Sequence, residues 1–385
     1  MDDSSCLKED WELLVSFFPE DWRALASASG AVKGLRQDKD EERLLRTLLL
    51  HVGCGHSLRE TAVRARQAGL ADLSDVALLK RLRKSEAWLR ALCERLFAER
   101  GIGEAVGPFG ALRLIDATRI EEPGKTGSSW RIHYSLAVPS LRCDFFELTP
   151  VKGKGTGESL KRYEAGAGEH LLADRGYSNA QGIAHIVAGG ADLTVRLCPR
   201  NVRILDGAGG VFALDDRLEA MKMCDETGDW PVVLADRHGG REVAGRLCAI
   251  RKSRAAIDLA KKKLRRRAQR SGEQIQESTF LHAEFVLVFT TIAPERLCAA
   301  DVLELYRIRW QVELVFKRFK QLAALGHVPK HDAASSRAWL YGKMFVALLT
   351  EKVISHAEGF SPWGYRTVVR SRQSQSLAGV PFPSQ

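Results

Sequence analysis

The stretch from His170 to Leu197, HLLADRGYSNAQGIAHIVAGGADLTVRL, constrains the fold more than any other part of the chain. It reads as strand, turn, helix, strand, with the turn opening at Asp174 in DRGY. Three strand-like runs precede it, LRLIDATRI, WRIHYSLAV and CDFFELTPV, joined by turn-rich segments. An antiparallel meander leading into a strand–helix–strand unit predicts an α/β fold, a mixed sheet with helices on its faces.

The chain before this sheet is helical in pattern, with leucine periodicity in EERLLRTLLLHV and SEAWLRALCERLF. Between them, SLRETAVRARQAG opens with a capping box from Ser57 to Glu60 and closes on Gly69. A second short helix, SDVALLKRLRKS, starts at Ser74 and carries Lys80, Arg81, Arg83 and Lys84. Two short helices with a tight connector fit a DNA-reading helix-turn-helix, and they equally fit a generic helical hairpin. The glycine-rich GIGEAVGPFG then marks a domain boundary.

Charge narrows the partners. The chain has 385 residues and a formal charge of +10 with pI ≈ 9.3, which calls first for nucleic acid and second for a membrane surface. No apolar run reaches the roughly 20 residues of a transmembrane helix. The acidic start MDDSSCLKED is unlike a signal peptide, so a soluble, cytoplasmic protein is expected. Eight scattered cysteines without a CxxC pair argue against a zinc ribbon and a secreted disulfide framework. HVGCGH (His51, Cys54, His56) has no matching second cluster and reads as a helix terminus. GKT at 124–126 has Arg119 where a P-loop needs glycine, and KGKGTGES lacks the Gly-Lys-Ser/Thr ending, which excludes an NTPase.

Residues 198–290 read as a β-rich insertion, with strand-like GGVFALD, WPVVLAD and REVAGRLCAI. Inside it, residues 251–270 hold ten basic side chains against one acid, Asp258. Such a helix is either merely solvated or a phosphate-contacting surface, the latter through Lys261, Lys262, Lys263, Arg265, Arg266 and Arg267.

The segment YRIRWQVELVFKRFK carries two polar bands where an amphipathic helix needs one. At ~100° per residue, Tyr306, Arg309, Glu313, Lys317 and Lys320 share a band roughly 80° wide. Leu305, Ile308, Val312, Val315, Phe316, Phe319 and Leu322 form the core-facing stripe. A salt-bridge ladder on a solvated face would account for the charged band as well. Two aspartates end apolar strand runs, Asp116 after LRLI and Asp174 after HLLA, and an Asp there is usually a turn former. Two strand-borne Asp with one helix-borne Glu nevertheless make a cage for two hard divalent ions about 3.5–4 Å apart, the arrangement that cleaves phosphodiesters.

The helix matches Y-x2-R-x3-E-x6-K as Tyr306, Arg309, Glu313 and Lys320 without mismatch. In this it resembles the DDE transposases of the insertion-sequence-4 family of bacterial mobile elements. DRGY looks like that family's second-aspartate motif and LIDATRI like its first. From 116 to 174 is 58 positions and from 174 to 313 is 139, which suits a ribonuclease H-like core interrupted by a β-rich insertion before the glutamate. The resemblance runs from about residue 40 to 355. It implies a helical DNA-binding domain over 1–100, a core over 108–197 and 291–355, and the insertion over 198–290. It also implies that Asp116, Asp174 and Glu313 hold two Mg²⁺ ions, which Mn²⁺ could replace. Tyr306, Arg309, Lys317 and Lys320 would contact DNA phosphate, with Lys80 and Arg81 on the DNA-reading helix. Such enzymes cut element ends, pass through a DNA hairpin and join 3′-hydroxyls to target DNA, as homodimers, without ATP, a membrane or a covalent protein–DNA bond. Their place is the bacterial cytoplasm, at the nucleoid.

The tail over 356–385 departs from that pattern, having no acid after Ser361 and no helical period. A truncated end, and with it a DNA-binding remnant unable to transpose, is the competing expectation. A different polynucleotidyl transferase or nuclease on the same core is another.

Overall fold

The computed structural model describes residues 11–35, 40–99, 110–121, 129–138, 142–237, 240–272, 274–310, 328 and 332–358. The N-terminal part is helical: α1 (Trp22–Ala28), α2 (Glu41–Val52), α3 (Leu58–Gln67), α4 (Asp75–Lys84) and α5 (Glu86–Ala98). The Ser57 hydroxyl accepts from the Glu60 amide at 3.2 Å, and Ser74 does the same for Ala77. Only half of the expected capping box forms, because the Glu60 carboxylate turns to Arg64 and His56. Gly69 sits at φ +65° just past α3, and the Leu70 amide reaches back to the Ala65 carbonyl at 2.8 Å, so the helix stops where glycine permits it.

Nine strands among the described residues form one sheet in the order β3-β2-β1-β4-β5-β9-β8-β7-β6. The meander is β1 (Ala111–Glu121), β2 (Ser129–Ala137) and β3 (Arg142–Pro150), each pair antiparallel. Then come β4 (Glu169–Ala173), α6 (Ala180–Ala188) and β5 (Asp192–Arg196), and β1, β4 and β5 run parallel. Gly110 seats the first parallel pair. A Cβ there would lie 2.1 Å from the Gly168 carbonyl oxygen, to which Ala111 donates at 2.8 Å, and φ is +67°. A bare backbone at 110 lets β1 start flush against β4.

The insertion continues the same sheet instead of folding apart from it. It consists of β6 (Arg203–Leu205), α7 (Leu214–Ala220), β7 (Thr227–Ala235), β8 (Val243–Arg251), α8 (Arg254–Ser271), α9 (Glu277–Ala283) and β9 (Phe285–Thr290), with β9 antiparallel to β5. The expected strand GGVFALD is not one. Val211 makes a single bridge to Leu205, and residues from Leu214 are helical. Leu214 and Leu218 bury one face, and Asp215 and Asp216 suit a helix N-terminus. The basic run is helical as expected, α8, and buries no residue.

The chain returns through α10 (Ala299–Arg307), a 3₁₀ turn at Ile308–Trp310, and α11 (Ala333–Glu358). The single helix expected from Tyr306 to Lys320 is therefore broken at its start, and the residues from 311 to 327 lie outside the described ones. Leu305 is buried as expected, but Ile308 is exposed, because α-helical winding ends at Arg307 and the 3.6-residue period no longer tells where Ile308 points. Two hydrophobic clusters cover the two faces of the sheet. One gathers α1, α2, α4, α5, α10 and α11 over Leu112, Leu114 and Leu172; the other gathers α6 and α7 over Ile115, Leu171 and Ala173. Helix α11 packs on α2, α4, α5 and β3, with Phe345 edge-on to Phe18 and Arg337 paired to Glu86 at 2.7 Å. The N-terminal helices thus share a core with the sheet. Among the described residues no helix is long and apolar enough to cross a membrane.

Candidate active site

Register brings the two aspartates together. In the parallel β1–β4 pair, Leu114 is opposite Leu172 and Ile115 opposite Ala173, so the next step sets Asp116 beside Asp174. Strands lie about 4.8 Å apart, and side chains two residues on return to the same face. Both carboxylates therefore stand on the face of Leu114 and Leu172, where α10 packs. Asp116 does not end its strand, as expected from the apolar run, but sits inside β1; it is β4 that ends there. That step leaves Asp174 at the strand's open end, with its side chain 37% exposed against 19% for Asp116.

Among the described residues, Arg309 faces both acids. Arg309 Nη1 lies 3.4 Å from Asp116 Oδ2, and its Nε lies 3.9 Å from Asp174 Oδ1. The Tyr306 hydroxyl donates to Asp174 Oδ1 at 3.2 Å. The 3₁₀ turn contributes to this convergence, since residues three apart eclipse in that winding. Burial first, then Asp174, pushes the Tyr306 phenol above its ordinary range, so it stays a donor. Burial alone would lower the Arg309 guanidinium, but Tyr306, Asp174 and Asp116 hold it above its ordinary value. Behind Asp116 lies a layer of phenols, of which the sequence pointed out only Tyr177, as part of DRGY. The Tyr163 hydroxyl bonds to the carbonyls of Asp116 (3.5 Å) and Tyr134 (3.3 Å) and shares a contact with Tyr177 at 3.2 Å. Burial raises all three phenols, leaving a dry, uncharged floor under the acids.

This donor set fits a divalent cation: two hard carboxylates on adjacent strands already address one positive group, and the floor excludes water. Glu313, Lys317 and Lys320 lie outside the described residues. Among the described residues no three His, Cys, Asp or Glu side chains converge on a metal position. That includes HVGCGH, where His51 Nδ1 is held by the His56 carbonyl at 2.7 Å.

The other site candidates sit elsewhere. On α4, Lys80 is exposed, whereas Arg81 donates to the carbonyls of Lys33 (3.0 Å) and Gly34, and Arg83 pairs with Asp332 at 2.7 Å. On α8, Lys261 pairs with Glu284 at 2.6 Å and Arg265 lies over the Phe280 ring, while Lys262, Lys263, Arg266 and Arg267 are exposed. Arg196 and Lys252 were missed and Arg175 was noted only as part of DRGY, although Arg175 directly follows Asp174 and Lys252 is the second residue of the basic run.

Residues 153–349 match a family described as Transposase DDE domain. The InsL chain of insertion sequence element IS186A in Escherichia coli (strain K12), a transposase by name, is 31% identical over 360 residues, covering 92% of this chain and 96% of that one. The transposase for insertion sequence element IS421 of Escherichia coli is 30% identical over 361 residues with the same coverage. The chain belongs to the DDE transposases. It is accordingly a DNA transposase, an enzyme whose family depends on a divalent metal. The remnant alternative is not favoured, since similarity to transposases runs through 92% of the chain. Among solved structures, the catalytic domain of human Endonuclease V covers 63% of this chain and 96% of its own at 11% identity and a TM-score of 0.26, too low to support any conclusion.

Proposed function

We propose that this transposase belongs to the insertion-sequence-4 type, cuts the ends of its element by hydrolysis and joins the freed 3′-hydroxyls to target DNA. Asp116, Asp174 and Glu313 would hold two Mg²⁺ ions, with Mn²⁺ able to substitute. When bound, the ions supply an activated water and stabilise the leaving oxygen. The chain's own residues prepare that chemistry. Tyr306 donates to Asp174 and fixes one carboxylate oxygen, and the phenol layer keeps water from beneath Asp116. Arg309, Lys317 and Lys320 hold the scissile phosphate once DNA arrives. No nucleotide cofactor enters.

The architecture carries the remaining roles. Residues 108–197 and 291–355 form a ribonuclease H-like core, and 198–290 its insertion. Residues 1–100 are the helical DNA-binding domain, in which Lys80 and Arg81 belong to the reading helix. Double-stranded DNA, as element ends and as target, is the partner, and a homodimer makes the synaptic complex. The single observation that carries this reading is the β1–β4 register, which sets Asp116 beside Asp174 facing Arg309.

The test is nicking of a duplex bearing the element's own end. Wild type should cleave with Mg²⁺ or Mn²⁺ and not in EDTA. Glu313→Gln and Asp174→Asn should each abolish cleavage while nearly preserving folding and DNA affinity. Cleavage retained by Glu313→Gln would refute its metal role.

A further inference from the structure

A cleft of about 560 Å³ opens between the turn after β4, the end of β5 and helix α8. Six cations line it: Arg175, Arg196, Arg200, Lys252, Lys263 and Arg267. Among the described residues no Asp or Glu lines it, and His282, at its wall, is engaged by Asp215 at 2.6 Å. Leu197, Leu264, Phe285 and Leu287 supply an apolar floor. The α8 residues that line it are Ala260, Lys263, Leu264 and Arg267, which at i, i+3, i+4 and i+7 make one helix face. Lys262 and Arg266 fall on the opposite face. The cleft joins core to insertion; neither Asp116 nor Asp174 lines it, but Arg175 directly follows Asp174 and Arg196 acts electrostatically on Tyr306.

We infer that this cleft binds the phosphodiester backbone of a single, unpaired DNA strand where the turn after β4, which Asp174 opens, meets the insertion. The inference rests on the transposase reading above and goes beyond it by assigning a second DNA seat with its own residues. A cleft of about 560 Å³ has room for part of one strand but not for both strands of a duplex. A cationic rim with an apolar floor matches a strand with phosphates on one side and unpaired bases on the other. The charge is also uncompensated from within. Lys252 Nζ donates to the Ala283 carbonyl, and burial first, then Arg196 and Arg175, pushes it down to about 8.

Two charge-matched variants on exposed positions of α8 separate the cleft from a diffuse basic surface. Lys263→Ala/Arg267→Ala removes two cations from the cleft, and Lys262→Ala/Arg266→Ala removes two from the opposite face. Affinity of the full chain is measured in EDTA for a short fluorescent single strand and a blunt duplex across a salt series. The cleft pair should weaken single-strand binding about tenfold and lower its log–log salt slope by about 1.4, at roughly 0.7 per phosphate contact. Its effect on the duplex should be several-fold smaller. The outward pair should weaken single strand and duplex by a common factor. Arg196→Ala, a change in the core instead of the insertion, should reproduce the single-strand loss. Equal changes in the single-strand to duplex ratio for both pairs would overturn the inference while leaving a cleaving wild type, and so the transposase reading, intact. A wild type that binds neither DNA would bring down both.

Discussion

Arg309 stands where a cation must stand, and its removal should expose what the two carboxylates require. In Arg309→Met the stem is kept and the charge is lost. At the observed 3.4 and 3.9 Å, each contact is worth gross about 4–5 kcal/mol at an effective dielectric constant near 20. Desolvation offsets most of this. The arginine side chain is 13% exposed and Asp174 is 37% exposed, which places the net value between the ~1 kcal/mol of a surface pair and the ~3–5 kcal/mol of a broken buried one. A destabilisation of about 2 kcal/mol follows, or a Tm lower by a few degrees in EDTA. Mg²⁺ should then act more strongly on the variant than on wild type, since no guanidinium competes with it. A tenfold gain in metal affinity would add about 1.4 kcal/mol of stabilisation once Mg²⁺ saturates both. The assay is thermal unfolding of the full chain at pH 7.5 with EDTA or a Mg²⁺ titration. Equal Tm values in EDTA together with equal Mg²⁺ shifts would refute the view that Arg309 fills the cation position between the acids.

Two further outcomes follow from the same geometry. Tyr306→Phe removes the donor to Asp174, a hydrogen bond to a charged acceptor worth roughly 1.5–3 kcal/mol, so end cleavage should slow by about tenfold or more while DNA affinity stays close to wild type. Acid should destabilise the sheet through His133 and His170, both fully buried, which burial above all lowers to about 3 and about 4. Their folded pKa values lie below the unfolded ~6.5, so stability is intact above pH 6.5 and is lost as pH falls toward 4. The cost at pH 5 is about 2 kcal/mol for each, and unfolding midpoints of His170→Asn should fall less between pH 7 and pH 5 than those of wild type.

The sheet was legible because its signals are local. LRLIDATRI, WRIHYSLAV and CDFFELTPV became β1, β2 and β3, and the strand–turn–helix–strand order became β4, α6 and β5. Errors arose where local signals compete. GGVFALD has apolar residues enough for a strand, but the acids at 215 and 216 and the Leu214–Leu218 spacing favour a helix, and that choice depends on burial against the sheet. The β-rich insertion was legible over 198–290, but nothing in those residues announces that β9 will pair with β5. Pairing between residues about 95 positions apart, such as Thr194 with Thr290, is a property of the assembled sheet. The linker around residue 105 marks a boundary in composition, and it could not show that α11 packs both on the N-terminal helices and on β3.

The candidate site divides along the same line. Asp116 and Asp174 stood out by residue type at strand positions, but neither alone is distinguishable from a turn former. What joins them is the pairing of Leu114 with Leu172, set in turn by the close approach of Gly110 to Gly168. A single step of slip would carry one acid to the opposite face, since side chains alternate with a period of two. Arg309 was legible because its spacing from Tyr306 survives the change from α to 3₁₀ winding; Ile308 was misread because its neighbours in the core do not. Arg175, Arg196 and Lys252 carry no pattern that links them to one another. They come from a turn, a strand end and a residue preceding a helix cap, and only the packing of β5 against the insertion makes them one cationic wall. The candidate acids lie on strands whose order the chain announces, while the cleft's cations depend on an inserted segment docking onto that sheet. Substitutions that loosen the β5–β9 pairing should therefore damage the cleft before they disturb the acids.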